Sequence, residues 1–65
     1  MERTANGVRG RDRNGHVFAV HFWQVENVIK KPYGCDILIE TGERIPLSMG
    51  YERAKVMFNP KLETL

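Results

Sequence analysis

The sequence holds a single cysteine, three prolines, one tryptophan and no long apolar run. One cysteine excludes an intrachain disulfide and fits a reducing compartment, so a cytoplasmic location is expected. No stretch approaches the roughly 20 apolar residues that cross a bilayer, so no membrane partner is expected. The opening MERTANGVRGRDRNG has charge but no apolar segment behind it, unlike a secretory signal. A glycine-rich phosphate loop is missing too, because neither Asn6-Gly7 nor Arg9-Gly10 leads into a helical pattern.

Reactive side chains are equally scarce. His16, His21 and Cys35 are the metal-ligand types, but the two histidines stand five apart in a strand-like stretch. An odd separation on a strand puts them on opposite faces, where they cannot share a zinc ion. Cys35 follows a turn and opens a strand, with no helix N-terminus to activate its thiol. Ser48 reads as a helix cap. Glu26, Asp36, Glu40, Glu43 and Glu52 alternate with bases as ordinary surface charge. No catalytic residue, cofactor-binding residue or metal ligand is assigned, and the chain is not expected to be an enzyme.

What remains is a domain of 65 residues, 42% hydrophobic and 28% charged, with a net charge of +2. A chain this short buries only about 60% of the surface its unfolded form exposes, so its core is marginal without very good packing or self-association. Residues 1–13 form a basic segment carrying Arg3, Arg9, Arg11 and Arg13. It is either a mobile arm or a weak first strand over 8–12. Residues 14–58 are the β-rich domain and 59–65 a tail.

Turn signals divide the domain. Asn14-Gly15 marks a hairpin, and a type I′ turn there needs positive φ at both residues. In the strand after it, HVFAVHFW, strict alternation sends His16, Phe18, Val20 and Phe22 to the core and Val17, Ala19, His21 and Trp23 to the other side. VENVIKK, 25–31, is a second extended segment, with a short helical turn as the alternative. Lys31-Pro32-Tyr33-Gly34 turns the chain into CDILIET, whose Cys35, Ile37 and Ile39 share a face. Gly42-Glu43 leads to RIPLSM, and Pro46, lacking a ladder donor, marks an edge strand. Ser48 then caps a helix over 49–58 with Tyr51, Ala54 and Phe58 on one stripe, and Asn59-Pro60 ends it. The expected fold is mainly β (α+β): a small antiparallel β-meander of four to five strands with one short C-terminal helix.

Two functional expectations follow. The apolar side made by Val17, Ala19, His21 and Trp23 has too little chain left to cover it, which points to a protein partner or a homo-oligomer anchored on Trp23. The alternative is a nucleic-acid-binding regulator using Arg9, Arg11, Arg13, Lys30, Lys31, Tyr33 and Arg44, with cations on phosphates and Tyr33 stacked on a base. No zinc-finger, helix-turn-helix or RNP-type motif supports that alternative. A short phage-encoded inhibitor of a host protein is a further form of the protein-binding reading.

Residues 14–58 resemble the small flagellar proteins of the FlbD family. The likeness lies in the order NG-H-V-F, VENVIKKP and CDILIETGERIPL, followed by a short helix. LytTR-type DNA-binding domains are a more distant likeness. The resemblance implies a β-rich fold and a small regulatory partner protein without enzymatic activity. The arginine-rich VRGRDR, in place of an apolar first strand, and the aromatic His21-Phe22-Trp23 depart from the family pattern.

Overall fold

The computed structural model describes residues 1–58. The chain is mainly β, built as β1 (Glu2–Arg3), β2 (Gly7–Arg11), β3 (Val17–His21), a 3-10 turn (Phe22–Gln24), β4 (Val25–Lys31), β5 (Gly34–Ile39), β6 (Arg44–Leu47) and α1 (Tyr51–Phe58). These strands do not form one continuous meander. They divide at the 3-10 turn into two antiparallel three-stranded sheets, β1-β2-β3 and β4-β5-β6.

Two of the hairpins use the same turn. The Gly15 N–H donates to the Asp12 carbonyl and the Asp12 N–H to that of His16, at 3.0 and 2.8 Å. Gly42 and Ile39 repeat the pattern, with Gly42 donating to Ile39 and Ile39 to Glu43. In each, three residues lie between the closing pair, Asp12/His16 or Ile39/Glu43, and the last is a glycine at positive φ, 85° for Gly15 and 91° for Gly42. The type I′ turn expected at Asn14-Gly15 is therefore not formed: no residue other than glycine has positive φ among the described residues. The Asp12 carboxylate explains the choice. It accepts from the Asn14 and His16 N–H groups at 2.8 and 3.0 Å, which holds Arg13 and Asn14 in an ordinary turn.

The core lies where the inner faces of the two sheets meet α1. Val8 and Val20 come from the first sheet, Val28, Cys35, Ile37 and Leu47 from the second, Ala54 and Phe58 from the helix. Phe18 reaches the same cluster, its ring centroid 6.3 Å from that of Phe58. Alternation along CDILI places Cys35 and Ile37 inward as expected, both fully buried. Pro46 lies on β6, at the edge of the second sheet, as its missing donor requires.

Three further expectations are corrected. His16 is not a core residue: it sits in the hairpin turn beyond the end of β3 and is exposed, with Nδ1 3.8 Å from the Asp12 carboxylate. Phe22 is half-buried but outside the strand, because β3 stops at His21 and Phe22 opens the 3-10 turn. The helix begins after Gly50, whose carbonyl takes the first helical bond from Ala54, so the cap falls at Gly50 rather than Ser48. The expected stop at Asn59-Pro60 and the tail lie outside the described residues.

Candidate functional site

The hairpin turn at Asp12–Gly15 sets the register of β2 against β3: Arg11 opposite Val17, Arg9 opposite Ala19, Gly7 opposite His21. Residues opposite one another in an antiparallel pair share a face. Val8 and Val20 take the buried side, so Arg9, Arg11, Val17, Ala19 and His21 all lie on the outer side. Val17 is 73% exposed and Trp23 69%, while Ala19 and His21 are also open to solvent.

Trp23 reaches this side by a different route from the one alternation implies. It sits in the 3-10 turn and folds back on His21, with ring centroids 5.8 Å apart and planes 8° from parallel. The turn is held by Gln24, whose side-chain oxygen accepts from the His21 N–H at 2.8 Å. The four apolar-side residues of β3 and its turn thus form one continuous exposed surface. A recess of about 420 Å³ opens beside it, lined in part by Arg9, Arg11, Val17, Phe18 and Ala19. A second, of about 260 Å³, lies along Thr4, Asn6, Gly7 and His21.

The basic residues separate into two groups. Arg9 is held to Glu2 by two nitrogens, each 2.8 Å from the same carboxylate oxygen, and Arg11 donates to the Gly15 carbonyl at 2.9 Å. Both belong to the outer side of the first sheet. Arg13, Tyr33, Lys31 and Arg44 gather instead by the second sheet. The Arg13 guanidinium lies 4.6 Å above the Tyr33 ring, and the Arg13 backbone N–H donates to the Pro46 carbonyl. Lys31 and Arg44 flank the nearly buried Asp36 carboxylate at 3.8 and 3.7 Å. Lys30 is exposed at the end of β4, opposite Cys35. The seven residues of the nucleic-acid alternative are distributed over both sheets, with Arg13 reaching from the first hairpin turn to Tyr33, and Glu2 and Asp36 offset part of their charge.

Chemistry is sparse at both places. The Cys35 thiol is buried, 3.6 Å from the Met49 carbonyl oxygen; burial pushes its pKa up, Asp36 adds to this and Arg13 opposes it. Among the described residues no three His, Cys, Asp or Glu side chains gather as a metal-binding group. Among the same residues no helix is long and apolar enough to cross a membrane.

Arg9 and Arg11 are the residues that sequence reasoning kept apart from the apolar side. A two-residue turn at Asn14-Gly15 would instead pair Arg11 with Phe18 and Arg9 with Val20, on the core side, so the register that joins the arginines to Val17 and Ala19 comes only with the three-residue loop closed by Asp12 and His16. Compared with protein-family models, curated proteins and solved structures, the chain matches none.

Proposed function

We propose that this protein is a small non-enzymatic regulatory or adaptor protein of the cytoplasm, which acts by binding another protein through the outer side of its first sheet. The observation that carries the reading is a single exposed surface joining Val17, Ala19, His21 and Trp23 to Arg9 and Arg11. Apolar residues at the centre with arginine beside them match the composition of protein interfaces, where Trp and Arg supply most anchors. The Trp23 ring is already ordered against His21, so little side-chain freedom is lost on docking. The likeness of residues 14–58 to the FlbD family supports a regulatory task.

Electrostatics favours protein over nucleic acid as the partner. Arg9 and Arg11 of the first sheet are engaged by Glu2 and a backbone carbonyl, and two cations of the second sheet are held by Asp36. A phosphate backbone would have to compete with both carboxylates.

The test is quantitative co-purification of a tagged chain from its own cells, comparing the wild type with Trp23→Ala, Val17→Asp and Glu43→Ala. A defined protein lost with the first two variants and retained with Glu43→Ala is the expected result. Recovery of the same proteins with all four chains, or of nucleic acid alone, overturns the reading.

A further inference from the structure

We propose that β3 pairs edge to edge with β3 of a second copy, joining the two first sheets into one six-stranded antiparallel sheet across a two-fold axis. This rests on the outer side of the first sheet being a protein-binding surface, and it names the occupant and the mode of contact.

The argument starts from the hydrogen bonds of β3. Asp12 donates to His16 at one end of the hairpin and Phe22 to Asn6 at the other. Bonded and non-bonded pairs alternate in an antiparallel ladder, so residues 18 and 20 bond to β2. The N–H and C=O groups of Val17, Ala19 and His21 point the opposite way, off the edge of the sheet. His21 N–H is closed off by the Gln24 side chain. Among the described residues this leaves Val17 and Ala19 with open backbone groups on both N–H and C=O.

Those two residues are complementary to themselves. If Val17 of one copy faces Ala19 of the other, the two-fold axis passes through Phe18, and four backbone hydrogen bonds form. The Gln24 cap stays intact at each end. Phe18 then meets its own copy as a non-bonded pair, with Cα atoms about 4.5 Å apart. Its ring already leans on Phe58, so the contact extends the existing core across the axis.

The edge also lacks the usual guards. Natural edge strands are protected by lysine, proline, a bulge or an inward-pointing charge. β3 reads VFAVH and carries none of these, whereas β6, the edge strand of the other sheet, has Arg44 and Pro46. Charge does not oppose the pairing. Arg9 and Arg11 stand on β2, one strand back, so those of the two copies are separated by three strand spacings, roughly 14 Å. That exceeds the screening length of about 8 Å at physiological salt. In the joined sheet the middle of the outer side is Val17 and Ala19 from both copies.

The experiment is sedimentation of the full chain from micromolar to millimolar concentration, with amide hydrogen exchange followed by NMR over the same range. The expected result is a doubling of mass with concentration, accompanied by protection of the Val17 and Ala19 amides. Ala19→Pro removes an outward N–H without touching the β2 ladder and should weaken association at least about tenfold. Val17→Lys, which places a charge at the centre of the pairing and leaves every backbone group intact, should weaken it likewise if the proline variant does not fold. A monomer at all concentrations overturns the pairing, as does a dimer whose Val17 and Ala19 amides exchange freely. In either case, loss of a different protein from Trp23→Ala and Val17→Asp purifications would still uphold the wider reading.

Discussion

Replacing Trp23 with alanine separates a surface anchor from a core residue. The ring is 69% exposed, and among the described residues its one ring partner is His21. A Trp buries roughly 150–250 Å² when fully enclosed, so about a third of that, some 50–80 Å², is at stake here. At about 25 cal/mol per Å² the loss is ~1–2 kcal/mol, an upper estimate because the unfolded chain covers some of this area. Phe58 gives the contrast: it is fully buried, and Phe58→Ala should cost about 3–5 kcal/mol. A domain of this length has roughly 3–10 kcal/mol in total, so the two variants should behave very differently. In urea unfolding followed by circular dichroism, Trp23→Ala should stay folded with an unchanged slope and a slightly lower midpoint. Phe58→Ala should be largely unfolded or nearly so. A loss above about 3 kcal/mol for Trp23→Ala would refute the assignment of Trp23 to the surface.

Other expectations are independent of that one. Gly34 has φ 142°, and a Cβ there would run into the Leu47 carbonyl oxygen. Gly34→Ala should therefore lose at least about 1–3 kcal/mol in the same unfolding assay, while a midpoint within 0.5 kcal/mol, on the order of an ordinary surface change, would contradict the packing of β5 on β6. Folding raises the Cys35 pKa above its ordinary 9.0, so the neutral thiol is the form that folding favours. Its contribution is fully present below about that pH and is lost as pH rises through the folded value. The urea midpoint should fall above pH 9 more steeply for the wild type than for Cys35→Ala, and equal slopes would show that the thiol is not buried. Mixed-sequence RNA or duplex DNA should leave Trp23 fluorescence without a saturable change even at low salt. Saturable quenching that weakens as salt rises would favour the nucleic-acid alternative.

Much of the fold was legible because period-two alternation and turn residues dominate so short a chain. CDILI declares its inward side through Cys35 and Ile37, and Pro46 marks an edge. Failures cluster at strand ends, where alternation no longer reports orientation. His16 and Phe22 both fit the pattern, yet one sits in a turn and the other in a 3-10 turn, because Asp12 and Gln24 bond backbone groups near them. Such side-chain caps have no period and leave little trace in a hydropathy reading. The division into two sheets was hidden for the same reason: it occurs at Phe22–Gln24, where one extended segment runs into the next with no glycine or proline between them.

The candidate surface was half legible. Val17, Ala19, His21 and Trp23 follow from alternation and from the shortage of chain to cover them. Their union with Arg9 and Arg11 depends on the register of the first hairpin, which fixes which arginine stands opposite which apolar residue. The meeting of Arg13, in the first hairpin turn, with Tyr33 beside the second sheet is a long-range contact that no local pattern contains.

Site-specific photo-crosslinking in the protein's own cells tests the central claim most directly. A photoreactive residue is placed at position 17, 23 or 43 in separate chains. Positions 17 and 23, on the outer side of the first sheet, should each yield adducts with the same protein, a second copy included, while position 43 yields none. Adducts from position 43 alone, or none from 17 and 23 in cells where the chain is folded, would contradict the account.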